Sequence, residues 1–158
     1  MLDHHALRDL LPHRHPTLLV DRVVDCVPGE SIHSIKAVSG AEPCYADVAR
    51  CAGDAYPDAL VLESWVQSAA VLWAITRRTQ ADPPTGTLVF AQTRRVEFHA
   101  VARPGDLIHH SARICRIEGD RALFEGVAFL PEQRRLLTVG TVALALLDRD
   151  RLHASTGR

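Results

Sequence analysis

Between Asp58 and Thr79 the chain reads DALVLESWVQSAAVLWAITRRT, and no other stretch limits the fold as much. Tyr56-Pro57-Asp58 precedes it, and a proline near the start with an aspartate in the first turn suits a helix N-terminus. Arg77 and Arg78 put cations at the other end, where the helix dipole favours them. The apolar residues do not make one stripe. Leu60, Val61, Leu62, Trp65, Val66, Ala69, Ala70, Val71, Leu72, Trp73 and Ile75 go around the whole cylinder. A helix that is apolar on all sides in a water-soluble protein has to be wrapped by other elements.

The flanking sequence supplies the wrapping. Leucines at helical spacing predict a short helix within Leu2 to Leu11, stopped by Pro12. Thr17 to Val27 is rich in branched apolar residues and ends at Pro28-Gly29, so it reads as a strand. Ser31 to Val38 alternates apolar and polar, the pattern of a half-buried strand. Gly40 to Ala55 has no period and reads as an irregular loop. After Pro83-Pro84, four strands are expected: Leu88 to Ala100, Asp106 to Glu118, Ala122 to Leu130 and Leu136 to Leu147. Pro104-Gly105, Gly119-Asp120 and Pro131-Glu132 separate them as turns. A four-strand antiparallel meander curling around the helix, completed by the two earlier strands, is the predicted α+β packing.

At 158 residues the chain has the length of one domain, expected over 1–148, with a polar tail over 149–158. Apolar residues make up 47 % and charged residues 23 %, an ordinary globular balance. A net charge of −1 gives no reason to expect nucleic acid or an anionic membrane as partner. No stretch of about 18 apolar residues spans a bilayer, and the start, Met-Leu-Asp-His-His, lacks a signal-peptide core. Cys26, Cys44, Cys51 and Cys115 show no CxxC spacing, which suits reduced thiols in a cytoplasm.

Chemistry concentrates on the helix. Glu63 and Gln67 are four residues apart and share a face, with Ser64 and Ser68 as a second such pair beside them. A carboxylate on so apolar a helix is costly to bury unless it is paired, hydrogen-bonded or neutralised. Burial would suit Glu63 to general acid work. Alternatively it reaches the sheet edge and meets solvent or a structural donor. Other histidines carry less. His13 and His15 form an HxH pair without a third ligand nearby, and His109 and His110 face opposite sides of a predicted strand. No metal or cofactor is expected.

The segments LPHRHPTLLVDRV (Leu11 to Val23), YPDALVLESWVQSAAVL (Tyr56 to Leu72) and RPGD (Arg103 to Asp106) resemble, in order and spacing, the bacterial 3-hydroxyacyl-ACP dehydratases. The likeness runs from about Leu11 to Leu147. It implies a hotdog fold, a long central helix wrapped by a curved antiparallel sheet of about five to six strands, with two subunits joining their sheets. It also implies an active site at the subunit interface and a substrate carried on the phosphopantetheine of an acyl carrier protein. In that family a histidine of one subunit takes the proton beside the thioester. A carboxylate on the other subunit's helix protonates the leaving hydroxyl. Glu63 matches that carboxylate and Gln67 the glutamine one turn on, while Tyr56, Pro57 and Asp58 match the substrate-facing helix start.

Two departures sit on one half of the site. Counting back from Glu63, the family's histidine position falls on Ala49; counting forward from Glu42-Pro43, it falls on Val48. No histidine occurs between His33 and His99. Arg50 stays protonated, and nothing adjacent to Cys51 depresses its thiol. In addition, Asp58 replaces a family glycine, setting a carboxylate beside a developing oxyanion.

Three functions follow from this pattern. The first is a subunit of a heterodimeric dehydratase, giving Glu63 to a composite site whose histidine comes from a homologous partner, in fatty-acid-like or polyketide biosynthesis. The second is a catalytically silent protein that binds an acyl carrier protein or assembles with a partner enzyme, as a homodimer or heterodimer. The third is a hotdog thioesterase in which Glu63 activates water. Arg77, Arg78, Arg94 and Arg95 are candidate docking points for an acidic carrier protein. An imidazole of this same chain supplying the missing base at Glu63 would end the composite-site reading.

Overall fold

The computed structural model describes residues 1–46, 54–79, 86–132 and 134–147. Its centre is helix α2 (Asp58–Arg78), which the preceding α1 (His4–Leu10) touches at one end. Every residue of α2 from Ser64 to Trp73 is buried, as an all-round apolar surface requires. By length and hydropathy this helix passes for a membrane span, yet 67 % of that stretch lies buried inside the fold. Trp65 and Trp73 are its largest buried side chains. Trp73 packs on Phe124, and the Trp65 indole N–H donates to the Ser111 carbonyl at 3.0 Å.

Six strands wrap it: β1 (Arg22–Val27), β2 (Ser31–Ala37), β3 (Thr87–Phe98), β4 (Leu107–Glu118), β5 (Arg121–Phe129) and β6 (Arg135–Leu147). All pairings are antiparallel, in the order β1-β2-β4-β5-β6-β3. This is the wrapped-helix arrangement implied by the resemblance. The expected four-strand meander is corrected to three, because β3 pairs with β6 at the far edge and β2 takes the place beside β4. Turns between neighbouring strands are local signals, whereas the side on which β3 lands after a 21-residue helix is not.

The strand expected over Thr17 to Val27 is also shorter, beginning at Arg22. Of its front half, the Asp21 N–H still donates to the Ile35 carbonyl of β2, while the Thr17 and Leu18 N–H groups turn back onto the Arg14 carbonyl. The Leu19 N–H donates to Gln67 Oε1, and Gln67 Nε2–H donates to the Thr17 carbonyl, both at 2.8 Å. A buried side-chain amide thus satisfies backbone groups that a ladder would otherwise pair. Asp3 caps α1 by accepting from the Ala6 N–H, and Leu2 forms an isolated bridge to Val23. The loop read as irregular holds a 3-10 turn, Pro43–Tyr45. The tail 149–158 lies outside the described residues.

Candidate active site

Gln67 ties together the elements that make the site. It is 1 % exposed, and besides gripping Thr17 and Leu19 its Nε2–H donates to Glu63 Oε1 at 2.8 Å. The i,i+4 spacing read from the sequence therefore becomes a contact, one turn apart on α2. Glu63 itself keeps 43 % of its side chain exposed in the single chain. It is hydrogen-bonded to Gln67 and it meets solvent. No hydrogen bond to Oε2 is found among the described residues.

Glu63 opens onto a cavity of about 630 Å³, lined mainly by His13, Pro16, Thr17, Leu19, Leu60 and Cys44, with Glu42 and Pro43 closing one side. That volume lies within the range of small-molecule pockets. The walls are mostly apolar, with Glu63, His13, Glu42 and Cys44 as the ionisable groups among these lining residues. His13 approaches Glu63, its Nε2 standing 3.7 Å from Oε1, and its Nδ1 is sealed from solvent without a partner among the described residues. Burial and the nearby Glu42 carboxylate push the Cys44 thiol up, so it stays protonated and unreactive there.

Glu42 holds the loop that forms the far wall. Its Oε1 accepts from Lys36 Nζ at 2.8 Å and from the Ser39 N–H at 2.9 Å; its Oε2 accepts from the Tyr56 hydroxyl at 3.0 Å. The Lys36 ammonium, 6 % exposed, is thus paired rather than stranded. Tyr56, 1 % exposed, serves this network, and burial with the Glu42 carboxylate drives its phenol far above the ordinary range. Neither Tyr56 nor its neighbours Pro57 and Asp58, both exposed, line the cavity of the single chain. Ala49 and Val48 lie outside the described residues, as do Arg50 and Cys51.

The arginines stand apart from the cavity. Arg77 lines a separate recess with Leu10, Ala70 and Leu88, and Arg78 donates to the Asp9 carbonyl. Arg94 and Arg95 are exposed on β3, beside Leu123 and Thr141. The two pairs do not form one patch with the site. Among the described residues no group of three or more His, Cys, Asp or Glu side chains is arranged to hold a metal.

His110 and His109 do face opposite sides of β4. His110 is fully buried against α2, where Nε2 meets Ser64 Oγ at 2.9 Å, and Ser34 and Ser68 join their hydroxyls at 2.6 Å alongside. Ser64 Oγ also donates to the Val61 carbonyl at 3.0 Å, and His110 Nδ1 stands 3.4 Å from Ser34 Oγ. Burial lowers the His110 pKa to about 3. A serine–histidine pair with no access to solvent is a structural cross-link between helix and sheet. His109, on the other face, stacks on Phe129, and its Nδ1 lies 3.1 Å from His33 Nε2.

Sequence reasoning missed His13, Glu42 and Cys44 as cavity residues. The HxH spacing drew attention only to metal binding. What would have pointed to His13 is its place in the same segment whose backbone Gln67 grips, a link across fifty sequence positions that carries no periodic trace.

No family model matches the chain. Curated relatives do. It is 36 % identical over 118 residues to the 3-hydroxyacyl-[acyl-carrier-protein] dehydratase FabZ of Shewanella sp. (strain W3-18-1), covering 75 % of this chain and 76 % of that one. To the FabZ of Anaplasma marginale (strain Florida) it is 30 % identical over 132 residues, covering 84 % and 89 %. Among solved structures it is similar to a chain of the dehydratase heterocomplex ApeI:P from Xenorhabdus doucetiae. That likeness has a TM-score of 0.79 at 15 % identity and covers 96 % and 97 %. It bears on the fold alone. Identity at this level over three quarters or more of both sequences is decisive: the chain belongs to the FabZ family of 3-hydroxyacyl-[acyl-carrier-protein] dehydratases and has its hotdog fold.

Proposed function

We propose that this chain is the carboxylate-bearing subunit of a 3-hydroxyacyl-ACP dehydratase assembled from two unlike hotdog chains. The observation that carries the reading is Glu63 at the mouth of an apolar cavity, held by a buried glutamine, in a chain with no histidine at the family position. One half of a two-residue acid–base site is intact and the other is absent. The substrate is a 3-hydroxyacyl group on the phosphopantetheine of an acyl carrier protein, its acyl chain lying along the apolar wall. A histidine of the partner takes the proton beside the thioester. The carbon–oxygen bond breaks as Glu63 gives its proton to the departing hydroxyl, and water and a 2-enoyl thioester result.

Edge strand β3 suits the pairing. Among the described residues its outer edge is unpaired over 12 residues, and Phe90 and Phe98 are 49 % and 42 % exposed, a surface that asks for a cover. A second chain joined there completes the sheet, and its presence would take the half-exposed carboxylate further out of water. The Xenorhabdus chain of similar fold comes from a complex described as a dehydratase heterocomplex, which supports a pairing of chains. The location is the cytoplasm, with the carrier protein.

The test is to isolate the chain from its own cells with whatever hotdog protein accompanies it, and to assay dehydration of a 3-hydroxyacyl-ACP. Loss of a positioned acid–base group lowers rates by about 10²–10⁴. The chain alone should fall short of the complex by that factor, and so should the complex carrying Glu63→Gln. Full turnover by that variant complex, or by the chain alone, refutes the reading. Hydrolysis of acyl thioesters by the chain alone would make it a thioesterase instead, and inactivity in every pairing a binding or assembly protein.

A further inference from the structure

His13 reaches the cavity from the segment that Gln67 fastens, and its two ring nitrogens have different surroundings. Nε2 faces Glu63 Oε1 at 3.7 Å, beyond hydrogen-bond length but within a small side-chain adjustment of it. Nδ1 is shut away from water with no partner among the described residues. A proton on Nδ1 would be a buried donor without an acceptor, and it would turn the Nε2 lone pair on the Glu63 oxygen. A lone pair on Nδ1 is also without a partner, but it leaves an Nε2–H to meet the Glu63 oxygen. The neutral ring therefore carries its proton on Nε2, pointed at the carboxylate.

In that tautomer the nitrogen facing the cavity has no lone pair to offer, and the nitrogen that has one is sealed. His13 is thus unsuited to replace the missing base, although it is an imidazole of this same chain. It is suited to donate. The Gln67 Nε2–H already donates to Glu63 Oε1 at 2.8 Å, and His13 Nε2–H converges on the same oxygen. Oε2 is left without a hydrogen bond among the described residues.

We propose that His13 is a positioning residue for Glu63, clamping Oε1 together with Gln67 so that Oε2 alone faces the substrate and carries the acid proton. This rests on the reading of Glu63 as the acid. The proton on Oε2 goes to the hydroxyl as the carbon–oxygen bond breaks, and solvent restores it. His13 exchanges no proton in the cycle. The arrangement also explains why a histidine-bearing partner is still needed.

The test compares His13→Ala, His13→Gln and Glu63→Gln in the complex with the co-purifying partner, reading kcat, KM and the pH–rate profile. An acid displaced by about an ångström loses up to about 10² in rate. His13→Ala should lower kcat about 10- to 100-fold, with KM within about threefold. His13→Gln, which keeps an N–H directed at the carboxylate, should recover most of that, and neither variant should remove an ionisation from the profile. In the full chain alone, nitrogen NMR should find the His13 proton on Nε2. An unchanged kcat in His13→Ala, a His13→Gln as slow as His13→Ala, a lost ionisation, or a proton on Nδ1 would each overturn the proposal. If Glu63→Gln is inactive while His13→Ala is not, only this inference fails. If Glu63→Gln stays active, the reading of Glu63 fails with it.

Discussion

Replacing Gln67 by methionine keeps the side-chain length and removes every polar atom from a position that is 1 % exposed. Three hydrogen bonds of 2.8 Å disappear. The Leu19 N–H suffers most, because Leu19 is 5 % exposed and Gln67 Oε1 is its acceptor among the described residues. An orphaned buried donor costs about 1–3 kcal/mol. The Thr17 carbonyl belongs to an exposed residue and recovers part of its loss from water, leaving about 1 kcal/mol. The bond to Glu63 counts for a few tenths, since that carboxylate is 43 % exposed and solvent screens it. Better burial of the thioether offsets some of this, so the net destabilisation should be about 2–3 kcal/mol. For a chain of this length that lowers Tm by about 4–12 °C. Denaturant unfolding at one fixed protein concentration measures it, because self-association makes the midpoint depend on concentration. Gln67→Glu adds a check of sign. It sets two carboxylates against each other, so one is held protonated in the fold, with its pKa raised. Its stability relative to the parent should be highest in acid and fall as pH rises through that raised pKa. A Gln67→Met protein within about 0.5 kcal/mol of the parent would show that this amide does not tie the 17–19 segment to the helix.

Gly126→Ala should be far more damaging. A Cβ at this glycine, whose φ is +156°, would stand 2.0 Å from the Ser111 carbonyl oxygen, which already accepts from Trp65 and cannot swing aside. A loss of about 3 kcal/mol or more, read as a thermal shift or as insoluble expression, is expected; a shift under about 1 kcal/mol would contradict that close approach. His110 should make stability depend on acid. Its folded pKa, about 3, lies below the ordinary 6.5, so the unfolded chain takes up a proton that the fold refuses. Stability present above pH 6.5 is then lost by about 1.4 kcal/mol per unit as pH falls towards 3. Between pH 7 and 4.5 the parent should lose about 2–3 kcal/mol more than His110→Leu; equal losses in the two proteins would refute the assignment.

Much of this architecture is legible in the chain because it is written in local patterns. The unbroken apolar surface of 58–79 can be satisfied only by enclosure, so a wrapped helix follows without any knowledge of what wraps it. Gly and Pro pairs mark the turns, and the i,i+4 spacing of Glu63 and Gln67 forces them onto one face. The absence of a histidine between His33 and His99 needs no coordinates either. These are facts about neighbours within one or two turns, where backbone geometry converts sequence distance directly into space.

Tertiary structure decided the rest. It sent β3 to the far edge beside β6, gave Gln67 the backbone groups of Thr17 and Leu19, and brought His13 to Glu63. It also turned Lys36, Glu42 and Tyr56 into one buried network, and sealed His110 against Ser64. Each of these contacts joins residues on separate elements. Their meeting depends on how the sheet curves around the helix, and the sum of many packing contacts sets that curvature. A residue type at a given spacing says what chemistry it offers; only the closed fold says which atom faces it.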